Sequence, residues 1–131
     1  MKTNHRILVV EDDRDTLFGL SVMLTKNGYD VLHAADGTMG LQIASREKPD
    51  LILLDLGLPA GDGFFVLESV RRNIHLLATP VFVISARDAA GNKERALAAG
   101  AQEYIKKPVD ISELLSSIKE ILDENSVSPP A

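Results

Sequence analysis

A chain of 131 residues is the size of one domain with a substantial core, and its 45% hydrophobic and 25% charged content is that of a globular protein rather than a disordered one. A formal net charge of -5 argues against non-specific binding to nucleic acid or anionic membranes by this chain. The lack of cysteine excludes disulfides, thiolate metal sites and a cysteine nucleophile, and it fits a reducing cytosol.

The first apolar run, "ILVV" at 7–10, is too short for a signal peptide, and no stretch approaches membrane-spanning length. A soluble, cytoplasmic protein is expected. "ILVV" reads instead as a strand covered on both faces, the habit of parallel sheets. Leu17, Leu20 and Leu24 then share one face of a helix that stops near Asn27-Gly28. A second strand is expected at "DVLHAA", 30–35, and a helix near 37–47. "LILL" at 51–54 is the third strand, "VFVI" at 81–84 the fourth and "EYIKK" at 103–107 the fifth, with helices near 63–72 and 88–99 between them. Gly100, in "AAGA", marks where a helix ends before the last strand. The final helix has the strongest periodicity: Ile111, Leu114, Leu115, Ile118, Ile121 and Leu122 repeat at helical spacing, and Asp110 with Glu113 forms an acidic variant of the capping box. A domain over 1–122 is expected, with 123–131, "DENSVSPPA", as a polar tail or the start of a linker.

Five strand–helix units in succession imply an α/β fold: a parallel sheet with right-handed crossovers and helices on both faces. In such a sheet, ligands bind outside the C-terminal strand ends. The residues at those ends are Glu11, Asp12 and Asp13 after the first strand, Asp55 after the third, Ser85 after the fourth and Lys107 after the fifth. Asp13 is better read as a helix N-cap. Carboxylates crowded into one crevice repel one another and recruit a cation, and an all-oxygen site suits Mg²⁺. A buried strand has no structural need to end in a charge, so Asp55 is the candidate nucleophile for a phosphoryl group, with Asp12 and Asp55 on the metal, Lys107 opposite and Ser85 as a hydrogen-bond donor.

Four segments then stand together: "ILVVEDD" at 7–13, "PDLILLDLGLPAGDGF" at 49–64, "TPVFVISA" at 79–86 and "GAQEYIKKPV" at 100–109. With them the chain resembles the receiver domains of two-component response regulators over about residues 5–122. The resemblance implies the flavodoxin-like doubly wound sheet of order 2-1-3-4-5. It implies Mg²⁺, or another divalent cation such as Mn²⁺, held by Asp12, Asp55 and the Gly57 carbonyl, with Glu11 acting largely through water. It implies Asp55 as phosphoacceptor, Lys107 as the phosphate's partner, a Lys107-Pro108 bond held in cis, and Ser85 and Tyr104 as the switch pair. The partner would be a sensor histidine kinase or phosphotransfer protein. The switched surface would be the fourth helix, fifth strand and last helix, roughly 87–122, open to a partner or a second copy of the chain. No direct nucleic-acid or membrane partner and no turnover enzyme are implied.

Gly57 and Arg87 fall where that family varies and tunes the lifetime of its phosphate, and Val109 stands where many members carry phenylalanine. The histidines, His5, His33 and His75, are scattered and are expected to be solvated or core-satisfied rather than ligands. "GDG" at 61–63 lacks the spacing of a phosphate loop and reads as a turn opening the third helix. Two other classes use similar sequence features. A flavodoxin-like cofactor binder is opposed by the acidic "EDDRD" after the first strand. A phosphatase-like hydrolase is opposed by glycine at 57, which offers no acid or base beside the nucleophile.

Overall fold

The computed structural model describes residues 4–58, 63–86 and 89–126. Along the chain run β1 (Arg6–Val10), α1 (Arg14–Lys26), β2 (Asp30–Ala34), α2 (Gly37–Glu47), β3 (Leu51–Asp55), α3 (Gly63–Arg72), a 3₁₀ turn (Ile74–Leu76), β4 (Val81–Ser85), α4 (Ala89–Ala98), β5 (Glu103–Lys106) and α5 (Ile111–Ser126). The strands form one parallel sheet in the order β2-β1-β3-β4-β5. That is the flavodoxin-like arrangement implied by the resemblance, while the alternation of strands and helices accounts for the parallel sheet itself.

The pleat explains the two-sided core. Ile7 and Val9 of β1, Leu51 and Leu53 of β3, and Phe82 and Ile84 of β4 point to one face, where Leu20 and Leu24 of α1 and Leu114, Ile118 and Leu122 of α5 cover them. The alternate residues, among them Leu8, Val10, Ile52, Leu54, Val81 and Val83, point to the other face, against Ala44 of α2, Val66, Leu67 and Val70 of α3, and Ala96 of α4. Each of the four β3 leucine and isoleucine side chains is almost wholly buried, a contribution of about 1.5–3 kcal/mol apiece. Burying β3 on both faces fixes where it must end, and it ends at Asp55.

Helix starts are set by acids at the strand ends. Asp13 accepts hydrogen bonds from the Thr16 N–H (3.0 Å) and hydroxyl (2.5 Å), which is the capping role expected of it, and the Thr16 bonds hold its pKa below the ordinary value. Asp36 caps α2 through the Met39 N–H, and Asp110 caps α5 through the Glu113 N–H.

The structure departs from the sequence reading in three places. α5 continues to Ser126, so residues 123–126 are helical rather than tail; Asp123 to Ser126 are polar but include no helix breaker. Ile111, expected on the buried stripe, is the first residue of α5 and is exposed. The fourth helix is broken near its start: Ala90 (ψ 116°) and Gly91 (φ 77°) are non-helical, and only the turns beyond them are regular. Residue 88, the expected start, and Arg87 lie outside the described residues.

At the opposite end of the sheet Arg71 ties loops together. Its guanidinium donates to the carbonyls of Gly100 (3.0 Å), Leu76 (3.1 Å), Leu77 (3.2 Å) and Thr79 (2.6 Å). Burial lowers its pKa. Gly100, at φ 110°, has no room for a Cβ, which would stand 2.6 Å from Arg71 Cγ.

Candidate functional site

Register brings the strand ends together. Val10 pairs with Leu54, Asp55 with Ile84, and Ser85 with Lys106, so the residues that follow β1, β3, β4 and β5 emerge side by side. Glu11 leaves β1 with its N–H donating to the Ala34 carbonyl (3.0 Å) and its side chain buried. Both Glu11 carboxylate oxygens are occupied: Oε1 accepts from Lys107 Nζ at 2.8 Å, and Oε2 from the Asp13 N–H at 3.1 Å. Asp12 is exposed. Asp55 is buried apart from 7% of its surface; its Oδ1 accepts the Gly57 N–H at 3.0 Å and its Oδ2 lies 3.5 Å from Lys107 Nζ.

Ser85 is buried at the end of β4, and its carbonyl accepts the Lys107 N–H at 2.8 Å, which seats the lysine backbone beside the acids. The Lys107-Pro108 peptide is cis. Tyr104 stands opposite Val83 in the β4–β5 register and is half-buried against the core on the α2–α3–α4 face. Val109 packs into the other core.

The electrostatics follow from crowding. Burial pushes the Glu11 pKa up and Asp55 adds to the rise, with the Lys107 and Asp13 N–H hydrogen bonds only partly offsetting them. Burial works against the Lys107 ammonium, but Glu11 and Asp55 outweigh it and hold its pKa above the usual lysine value. Carboxylate oxygens of Glu11, Asp12 and Asp55 all lie within 4.8 Å of one another. One ammonium, that of Lys107, thus faces three carboxyl groups. A compact all-oxygen donor set with an open, exposed side at Asp12 fits a small hard divalent cation.

Glu11, Asp12, Asp55, Gly57, Ser85 and Lys107 are thus gathered at one end of the sheet. The histidines are not among them: His33 is on β2, His75 in the 3₁₀ turn, and His5 lies 3.8 Å from Asp50, one residue before β3 and so at the other end of the sheet. Two contacts escaped the sequence reading. Gly57, singled out for its carbonyl, uses its N–H to hold Asp55, and the Asp13 amide holds Glu11. Both are side chains accepting from a backbone two residues on, a habit of acids in turns that "EDD" and "DLG" could have suggested.

Residues 7–119 match the family described as response regulator receiver domain, and the chain belongs to it. It is 36% identical over 126 residues to the DNA-binding dual master transcriptional regulator RpaA of Synechocystis, covering 96% of this chain but only 52% of RpaA. It is 35% identical over 117 residues to protein PilH of Pseudomonas aeruginosa, covering 89% of this chain and 97% of PilH. This chain therefore spans about half the length of several transcriptional regulators it resembles and nearly all of PilH. Among solved structures, the receiver domain of a sensor histidine kinase from Pseudomonas aeruginosa, with a magnesium ion coordinated in its active-site cleft, superposes with a TM-score of 0.84 at 30% identity, over 92% of this chain and 98% of that one. Among the described residues, no helix is long and apolar enough to cross a membrane.

Proposed function

We propose that this chain is a phosphorylation switch, in which Asp55 takes a phosphoryl group from a histidine kinase phosphohistidine with the help of Mg²⁺. The observation that carries this reading is Asp55 itself: a nearly buried carboxylate at the end of an all-apolar strand, with one oxygen held by the Gly57 N–H and the other facing Lys107 at 3.5 Å. A carboxylate fixed in this way, with a cation beside it, is pre-positioned to attack phosphorus.

In the transfer an Asp55 carboxylate oxygen forms the new O–P bond as the P–N bond to the donor imidazole breaks, the imidazole keeping the electron pair and taking a proton. Mg²⁺ bound by Asp12 and Asp55, with Glu11 behind, would supply positive charge to the phosphoryl oxygens. Lys107 would turn from Glu11 toward the added group, and Ser85 would donate its hydroxyl hydrogen. Because phosphoryl transfer is mostly positioning and charge neutralisation, these residues suffice without a general acid or base from residue 57.

The partner would approach past exposed apolar side chains, Phe18 and Val22 of α1 and Ile111 of α5, the last lining a groove of about 500 Å³ beside Lys107 and Pro108. The phosphorylated surface would be α4, β5 and α5, recognised by a partner or a second copy. The chain would work as a switch rather than by turnover, in the cytoplasm, with no nucleic acid bound directly.

Intact-protein mass spectrometry after incubation with Mg²⁺ and acetyl phosphate tests the reading. One added phosphoryl group in the wild type, dependent on Mg²⁺ and missing in Asp55→Asn, is expected. An unlabelled wild type, under conditions that label another receiver, would refute it.

A further inference from the structure

Two segments leave neighbouring strand ends at the site, one after Asp55 and one after Ser85, and among the described residues a side-chain contact near the site joins the helices they lead into. The first segment returns to the sheet at Gly63, whose N–H donates to the Leu56 carbonyl at 3.2 Å. The approach is so close that a Cβ on Gly63 would stand 2.5 Å from Leu56 Cα and 2.8 Å from the Asp55 carbonyl oxygen. The next residue, Phe64, is buried. Its position is therefore fixed directly to the backbone that bears Asp55.

The second segment leads into α4, which is weakly held. It is broken at Ala90–Gly91, and Ala96 is its one fully buried residue among the described side chains. From the turn beyond the break, Arg95 places its guanidinium carbon 3.7 Å from the centroid of the Phe64 ring, a cation–π contact. Arg95 is otherwise exposed, so the contact is a lid on Phe64 rather than part of the core.

We infer that Arg95 is a positioning residue: its contact with Phe64 latches α4 to the Asp55 loop and holds back the movement that phosphorylation of Asp55 requires. This rests on the phosphoacceptor reading above. Lys107 sits on Glu11, nearer than it is to Asp55, which is the arrangement before a phosphoryl group competes for the ammonium. Ser85 is buried at the end of β4 and α4 is the next element of the chain, so a closure of Ser85 on such a group that shifts α4 with it would strain the Arg95–Phe64 contact. The latch resists that shift, so a chain without it populates the shifted form more often, and a donor that traps this form reacts faster.

The test uses the whole chain as wild type, Arg95→Ala, Arg95→Met and Arg95→Lys. It measures Asp55 labelling by acetyl phosphate with Mg²⁺ and hydrogen exchange of the α4 amides. Arg95→Ala and Arg95→Met are expected to label about two- to fivefold faster, the size of effect an exposed cation–π contact supplies, with faster exchange in α4, while Arg95→Lys stays near wild type. A wild type that labels while Arg95→Ala labels no faster, or exchanges no faster in α4, overturns the latch alone. An Arg95→Met that behaves as wild type overturns the role of its charge. A wild type that does not label at all overturns the phosphoacceptor reading first.

Discussion

Lys107 and Glu11, 96 positions apart in the chain, meet at 2.8 Å, and this pair organises the crevice at the strand ends. Glu11 is almost wholly inaccessible, while Lys107 keeps about a fifth of its side chain in solvent. Removing the lysine leaves a buried carboxylate without its cation. Lys107→Met is expected to lower unfolding free energy by about 1–3 kcal/mol at neutral pH, measured by urea denaturation, because an unsatisfied buried group costs that much. A variant as stable as wild type would show that Glu11 is satisfied without it.

Divalent binding should depend unequally on the two neighbouring acids. Glu11 has both oxygens engaged, by Lys107 and the Asp13 N–H, whereas Asp12 is exposed. Asp12→Asn is therefore expected to weaken Mg²⁺ binding more than Glu11→Gln does, by calorimetric titration or by the shift of the Gly57 amide resonance. The reverse order would place Glu11 directly on the metal.

Gly63→Ala should be costly even though alanine favours helices. Its Cβ would meet the backbone of Leu56 and Asp55, which cannot swing aside as a flexible side chain can. Forced overpacking of this kind costs about 1–3 kcal/mol. The loss should appear in thermal unfolding, together with slower labelling of Asp55. Unchanged labelling would mean the loop absorbs the methyl group elsewhere.

Lys48, the C-cap of α2, has a left-handed backbone at φ 47° and ψ 67°, a conformation that penalises any side chain. Lys48→Gly is expected to raise stability by up to about 1 kcal/mol, since glycine is the usual residue at such a helix end. A loss of stability would show that the lysine stem contributes packing that outweighs the backbone relief.

Glu47 should shape the acid limb of the stability curve. Hydrogen bonds from Arg46 and Arg6, with their charges, hold its pKa below the ordinary 4.5. A carboxylate with a depressed folded pKa contributes stability that is present above 4.5 and is lost as pH falls through the folded value. Glu47→Gln is expected to give a shallower decline below that point in urea midpoints taken from pH 7 to 3. An identical decline would show that the arginines are equally engaged in the unfolded chain.

Most of this architecture is legible in the sequence because its main signals are local. β3 is apolar throughout and then abruptly acidic, and Lys107-Pro108 follows a short strand, so Asp55 and Lys107 can be found by inspection. The strand order comes from the resemblance, since alternating strands and helices alone do not fix it. What the pattern could not reveal depends on groups without a side-chain signal or on pairs far apart. The Gly57 and Asp13 amides belong to the backbone. Arg95 and Phe64 are separated by a strand and most of two helices, and each alone has an ordinary explanation. The break at Ala90–Gly91 hides in a segment whose composition is otherwise helical, and the last turn of α5 hides in residues too polar to advertise a core.

The crossover topology has one more consequence, for how the molecule comes into being. The acids that follow β1, the carboxylate of β3 and the lysine after β5 are contributed by the first, middle and last parts of the chain. Asp55 emerges from the ribosome well before Lys107 does. Closing contacts of that sequence separation carries a loop-closure cost that nearer contacts avoid. The crevice is therefore complete only when the last strand has docked: a nascent or partly unfolded copy holds the carboxylates of the first and third strand ends without the ammonium that meets them.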